Sequence, residues 1–190
     1  MVDHKAIVEA ILAGKQEQFR LLVNDFQRLV SHIVFRMIPD THDREDVCQE
    51  VFVKVYQNLA GFRFGSKLST WVAQIAYNTC LTALSKKQLA IDHRFADERD
   101  DSRPEWSAGD SSRPDYLYES DDTASVVRRE IDRLPSLPGT ILALFHLEAI
   151  SLQQIAEIFG MPEGTVKSHL FRARRLLKER LIQEHQWEQL

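Results

Sequence analysis

The sequence predicts an all-α protein of two small helical domains, an N-terminal helical bundle and a C-terminal helix-turn-helix, joined by a flexible acidic linker. Three observations carry this. Apolar residues recur at steps of three and four through residues 1–88 and again through 123–190, the period of helices with one buried face. No sustained apolar–polar alternation of strand type interrupts the first stretch. Between the two, residues 89–122 lose the period and carry eleven acids, four bases and six Ser or Gly, a composition with too little apolar surface to hold a core.

A short pattern at 3–13 comes first. Residues 15–38 then place Phe19, Leu22, Phe26, Leu29, Ile33 and Met37 on one helical face, and Pro39 with Asp40 ends the run. Thr41 is the predicted N-cap of the next helix, whose first turn carries Asp43 and Glu45 at its positive end. Its buried row is Val47, Val51, Val55 and Leu59, and its polar side carries Asp43, Asp46, Gln49, Glu50 and Lys54. A turn at 61–65 leads to a pattern starting at Ser66, with Leu68, Trp71, Val72, Ile75 and Thr79 on one face, that ends near Lys86 and Lys87. Within 89–122, Trp106, Tyr116 and Tyr118 stand out as incidental packing or a docking contact. Helical patterns resume at 123–134, 137–149, 151–159 and 163 to about 185, bounded by Pro135, Pro138, Ser151, and Gly160 with Pro162.

At 190 residues, 44% of them hydrophobic, the chain can fold one compact domain or two small ones. No run approaches the roughly 18 consecutive apolar residues of a membrane span, and 1–15 lacks the pattern of a secretory signal; the expected location is cytoplasmic. Cys48 and Cys80 each sit in an apolar-periodic segment and read as buried, reduced thiols. The net charge of −4 hides an uneven distribution: +2 over 1–88, −7 over 89–122 and +1 over 123–190. Between Glu163 and Ile182 six bases face two acids, so one helix-length segment is strongly basic.

That segment lies in the most informative stretch, 151–175. Small Ala156 suits a close helix crossing, Gly160 falls where the first helix must end in a left-handed residue, and Val166 is the inward residue of the second helix. The second helix then presents Lys167, Ser168, Phe171 and Arg172 outward, with free amides near Glu163 and Thr165 for a phosphate. Lys and Arg bond guanine edges, Ser adapts, and Phe meets a thymine methyl. One such module binds DNA weakly, so the N-terminal domain reads as the unit that binds a partner. His42, Asp46 and Glu50 also share a metal-ligand spacing, but they lie ~100° round the helix from the buried row, whereas a bundle metal centre needs inward carboxylates. Between the second and third bundle helices, Phe62, Arg63, Phe64, Ser66 and Lys67 flank a glycine turn, the ingredients for gripping unstacked bases and their backbone. Tyr77, Asn78, Lys86 and Lys87 extend that track. No phosphate-binding glycine loop, nucleophile elbow or zinc spacing occurs, so no catalytic residue, metal or cofactor is expected.

Two stretches in the right order resemble one family. Residues 43–52, with Phe62 to Lys67 and 69–78, are similar to the second region of bacterial extracytoplasmic-function sigma factors, group 4 of the sigma-70 family. Residues 134–181, with the sequence GTVKSHLFRAR at 164–174, are similar to their fourth region. The resemblance implies a non-enzymatic specificity subunit that takes core RNA polymerase to stress-responsive promoters. It implies three domains of the chain: 1–88 for polymerase binding and minus-ten recognition and melting, 89–122 as linker, and 123–190 for minus-thirty-five recognition. Asp43, Asp46, Gln49, Glu50 and Lys54 would face the clamp helices of the largest subunit. Phe62, Arg63, Phe64, Ser66 and Lys67 would capture a flipped minus-ten base, with Asn78, Lys86 and Lys87 along that element. Glu163, Thr165, Lys167 and Ser168, with His169, Phe171, Arg172 and Arg174, would read the minus-thirty-five element, while the preceding helices dock on the flap of the second-largest subunit. An anti-sigma factor, in many members membrane-anchored, would hold the protein inactive, at the inner membrane face in such cases and nucleoid-associated when free. Gln74 and Ile75 replace the Trp pair of larger relatives, which implies less robust melting, and His169 stands where some members carry Arg. The other readings are a stand-alone helix-turn-helix regulator, which would bind paired duplex half-sites without polymerase, and a helical metal enzyme using His42 and Glu50.

Overall fold

The computed structural model describes residues 3–94 and 122–187, with side chains placed over 3–87 and 126–183. Among them all regular structure is helical. Helix α1 (His4–Leu12) is capped by Asp3, whose carboxylate accepts from the amides of Lys5 and Ala6, and a short 3-10 turn at Gln16–Gln18 leads into α2 (Phe19–Met37). Helix α3 (Thr41–Asn58) and a second 3-10 turn, Leu59–Gly61, precede the loop that opens α4 (Leu68–Arg94).

The buried rows of α2 and α3 are the ones the periodicity predicts, whereas on α4 the predicted Trp71 and Ile75 are only half-buried and Ala73, Ala76 and Cys80 join Leu68, Val72 and Thr79 inside. Leu22, Phe26, Leu29, Ile33 and Met37 of α2 meet Val47, Val51, Val55 and Leu59 from α3 and its end, and α4 closes the bundle with Val72, Ala73, Ala76 and Cys80. Three local expectations are corrected. Asp40, not Thr41, caps α3: its carboxylate accepts the His42 amide at 3.1 Å, and Thr41 is already helical. Helix α4 starts at Leu68 rather than Ser66 and runs on to Arg94, past the expected linker boundary at 88. The predicted helix over 137–149 stops three residues sooner.

In the C-terminal half, α5 (Asp122–Asp132), α6 (Ser136–His146), α7 (Leu152–Phe159) and α8 (Glu163–Trp187) follow one another with short turns. Helix α6 ends at His146 because Ala149 takes a left-handed φ of +50° and the Ile150 amide turns back to the Leu144 carbonyl at 3.0 Å, which satisfies a helix-end acceptor. Residues 139–144 of α6 are all buried, so this helix has neighbours on every side. It lies against α8 within its own half and against α2 of the other, while α4 packs on α7. The two halves are thus in contact. Trp106, Tyr116 and Tyr118 fall outside the described residues.

Cys48 is half-buried and Cys80 buried, both as free thiols; burial pushes them up to about 11 and about 12, so both are protonated at neutral pH. No helix among the described residues is long and apolar enough to cross a membrane.

Candidate nucleic-acid and partner interfaces

The helix-turn-helix is fixed by local chemistry. Ser151 accepts the Gln154 amide while the Gln154 side chain accepts from the Ser151 amide, a reciprocal box that starts α7. Gly160 ends it at a φ of +61°, a conformation glycine reaches without a Cβ penalty. Val166, Leu170 and Ala173 then point inward from α8 onto Ile155 and Ile158 of the same core. This leaves Lys167, Ser168, Phe171 and Arg172 on the open face. Phe171 is 69% exposed, the largest exposure among the big apolar side chains described. Their supports are one turn away: Lys167 pairs with Glu163 at 2.7 Å, the Ser168 hydroxyl donates to the Gly164 carbonyl at 3.0 Å, and Arg172 Nε donates to the Ser168 carbonyl at 3.3 Å. Thr165 is exposed in the first turn.

Two residues of the expected reading face are placed differently. Arg174 lies within 3.0 Å of His146 Nε2 and holds its guanidinium 5.5 Å over the Phe145 ring, so it fastens α8 to the end of α6. Burial, together with the Arg174 charge, lowers the His146 pKa and keeps its ring neutral, free to accept. His169 is half-buried; burial and then Arg172 lower its pKa, and its buried Nδ1 has no hydrogen-bond partner.

The loop at 62–67 is held from below. Phe62 is only 8% exposed and meets Trp71 at 5.0 Å and Phe64 at 4.8 Å between ring centroids, so it anchors the loop rather than lining an open slot. Phe64 is 41% exposed, at a left-handed φ of +55° that non-glycine residues reach only under strain. Lys5, from α1, stands 5.9 Å over its ring. Arg63, Ser66 and Lys67 are exposed beside it. Asn78, also exposed, lines a groove of about 320 Å³ with Lys54, Asn58, Trp71, Ile75 and Thr79.

On α3, Asp46 and Gln49 are exposed and Asp43 and Glu50 half-exposed, so the predicted acidic face is open to a partner. Arg44 is buried behind it, donating to the carbonyls of Ile38 (2.9 Å) and Pro39 (3.3 Å) and covering Phe35, which fixes the α2–α3 corner. Lys54 pairs with Glu50 at 2.7 Å and donates to Thr79 at 3.3 Å. Lys86 is exposed, but Lys87 reaches across to Asp40 (2.8 Å) and Asp43 (2.9 Å), which sets it on the acidic face instead of the loop's track. Those hydrogen bonds raise the Lys87 pKa, and Lys87 in turn lowers that of Asp40. Among the described residues no three His, Cys, Asp or Glu side chains gather as metal ligands would.

Sequence reasoning missed a third set. Arg28, His32 and Arg36 lie at four-residue steps on α2, a stripe distinct from its apolar row. Arg28 Nε meets Glu148 Oε1 at 3.0 Å, His32 Nδ1 meets the same oxygen at 2.8 Å, and Arg36 meets Asp132 at 2.5 Å with both side chains buried. Burial pushes the Glu148 carboxyl up, but His32 and Arg28 outweigh it and leave the pKa below the ordinary value. The stripe was visible as a basic row at helical spacing; its partners, about a hundred residues on, were not.

Comparison with known proteins matches residues 22–90 to the family described as Sigma-70 region 2 and residues 125–177 to Sigma-70, region 4. The chain is 33% identical to the ECF RNA polymerase sigma-E factor of Escherichia coli (strain K12) over 180 residues, 93% of this chain and 93% of that one. It is 27% identical to the ECF RNA polymerase sigma factor SigW of Bacillus subtilis (strain 168) over 179 residues, 93% and 96% of the two chains. In fold it resembles the sigma factor RpoE of Bartonella quintana, solved with the anti-sigma factor NepR (TM-score 0.64, 19% identity, 87% of this chain and 97% of that one). It also resembles CnrH, solved with the cytosolic domain of CnrY (TM-score 0.58, 17% identity, 93% and 95%).

Proposed function

The chain belongs to the extracytoplasmic-function sigma factors, subunits that direct core RNA polymerase to promoters, and from that premise we propose how its surfaces share the work. The N-terminal domain, which runs to the end of α4 at Arg94, binds core polymerase through Asp43, Asp46, Gln49, Glu50 and Lys54 on α3. Its loop at 62–67 takes an extruded minus-ten base against the displayed Phe64 ring, with Arg63, Lys67 and Lys86 along the backbone and Asn78 in the adjoining groove. The C-terminal domain, 123–190, reads the minus-thirty-five element in the major groove with Lys167, Ser168, Phe171 and Arg172. Residues 95–121, between α4 and α5, link the two. Arg174 and Phe62 support these surfaces from behind, and Lys87 belongs to the acidic face.

The observation that carries this reading is the simultaneous exposure, in separate domains, of an acidic helix face and a basic recognition face around Phe171. The sigma factor RpoE of Bartonella quintana, of this fold, is solved with the anti-sigma factor NepR, and the same control suits a protein with such open faces. The protein acts as a non-enzymatic factor in the cytoplasm, on stress-responsive promoters, and is released from an anti-sigma partner when needed.

The test is transcription from fragmented genomic DNA by bacterial core polymerase with and without the protein, mapping every new RNA start. Starts found only with the protein, sharing two motifs at a fixed spacing, are expected. If no start arises and the protein does not co-elute with core polymerase, a stand-alone regulator replaces this reading.

A further inference from the structure

The Phe64 ring is met by a cation that does not come from its own loop. Lys5 belongs to α1, far upstream in the chain, and its Nζ stands over the ring, 5.9 Å from the centroid. The fold fixes where that side chain starts. Val8 and Ile11 are buried in the bundle, the Asp3 carboxylate accepts the Lys5 amide at 3.1 Å, and α1 packs on the 3-10 turn Leu59–Gly61 from which the loop departs. The ammonium itself is loosely held. The loop at 62–67 contains two bases and no acid, and the carboxylate that pairs with Lys5, Glu9, is 4.0 Å away with both side chains more than 60% exposed. An exposed ion pair and an exposed cation–π contact are both weak, so Lys5 covers the ring without being tied to it.

A base stacked on Phe64 needs the space that this ammonium holds. Flat rings in contact lie roughly 3.5 Å apart, which leaves at most about 2.4 Å between the plane of a stacked base and a nitrogen 5.9 Å from the ring centroid. That is shorter than a hydrogen bond of roughly 2.7–3.2 Å, so base and ammonium cannot share the face. Lys5 has to move aside, and its flexible four-carbon stem allows this while α1 stays in place. An extruded base brings its own sugar and phosphate to the edge of the stack. A compact ammonium with three donors suits a phosphate oxygen and is indifferent to the identity of the base. Arg63 and Lys67 approach from within the loop; Lys5 adds a cation from a separate helix.

We propose that Lys5 is a further nucleic-acid contact of the minus-ten site: it covers the Phe64 ring in the free protein, gives way to the extruded base, and its ammonium then binds the phosphate of that nucleotide. The proposal rests on the assignment of the loop to the minus-ten element made above.

The test uses holoenzyme assembled from core polymerase and the full chain, native or carrying Lys5→Met, which keeps a long unbranched side chain without the charge, or Lys5→Arg, which keeps the charge. The probe is the single-stranded non-template strand across the minus-ten motif of a promoter mapped by the transcription experiment. Binding is followed by fluorescence anisotropy at several salt concentrations, with core polymerase alone as the blank. Lys5→Met is expected to weaken binding about threefold to tenfold at low salt and to reduce the slope of log affinity against log salt by about 0.7, the share of one phosphate on a single strand. Lys5→Arg is expected to restore both. The strand is then made with one uncharged methylphosphonate linkage at a time. Native holoenzyme is expected to lose affinity at a linkage beside the extruded base where the Lys5→Met form loses none, because two changes that remove one contact do not add. An unchanged thermal midpoint of the free variants confirms that they fold. Lys5→Met with native affinity and slope overturns the proposal, and so does a variant as sensitive as the native form at every linkage. A native holoenzyme that does not bind the strand, or binds it equally well with Phe64→Gly, overturns the assignment of the loop itself and the role of Lys5 with it.

Discussion

In the C-terminal domain the three exposed polar reading side chains are each steadied by a residue one helical turn away: Lys167 by Glu163, Ser168 by Gly164, Arg172 by Ser168. The N-terminal loop works the other way. Phe64 is shaped by Phe62, by Trp71 beneath Phe62, and by Lys5 from a helix nearly sixty residues upstream, and its backbone is strained. A surface built on one helix loses a contact when one side chain goes. A loop held by distant packing loses its shape.

The largest expected effect follows from that contrast. Phe62→Ala removes a buried ring that joins the loop to the bundle core, and the expected destabilisation is about 3 kcal/mol. Urea denaturation of the native and variant chains measures it, and promoter opening, followed by permanganate reactivity of unpaired thymines, is expected to fail while polymerase binding persists. On the helix, Arg172→Ala leaves the core untouched, so stability is expected to stay within about 0.5 kcal/mol of the native protein. Promoter use is expected to fall by about 1–3 kcal/mol if the guanidinium reads a base. Equal loss on templates with scrambled upstream elements would show that it serves only the phosphates.

The same contrast explains what was legible in the sequence. Ser151, Gly160 and Val166 announced the helix-turn-helix because capping, a left-handed helix end and an inward apolar residue are local rules, and each stands where those rules put it. The apolar rows of α2 and α3 were legible for the same reason. Arg174 and Lys87 were counted as DNA contacts because charge can be read from sequence but direction cannot; each is held by partners that folding brings near, His146 and Phe145 for one, Asp40 and Asp43 for the other. Phe62 and Phe64 looked equivalent two residues apart, yet one is anchor and the other display, a difference set by Trp71 and a positive φ. The stripe Arg28, His32 and Arg36 gave a helical period but no hint of Glu148 or Asp132.

Two backbone positions sharpen the comparison at smaller cost. Gly160→Ala adds a Cβ that meets nothing within 4 Å, so its whole penalty is the left-handed φ of +61°, expected near 1 kcal/mol. A thermal melt that shows no loss would mean that α7 can end differently and that the turn is less determined than its local signals suggest.

Phe64→Gly is expected to have the smallest effect on stability and a large one on function. Glycine relieves the strain of a φ of +55°, of order 1 kcal/mol, but the ring's packing on Phe62 and its contact with Lys5 are lost, worth about as much in the opposite sense. The two nearly cancel, and the urea midpoint is expected to move little. Permanganate reactivity at the minus-ten element is nevertheless expected to drop, because the ring offered to an extruded base is gone while Arg63 and Lys67 remain to hold the backbone. A variant that melts promoters as well as the native chain would mean that the strained ring is packing alone, and that the loop works through its basic side chains, as the recognition helix does.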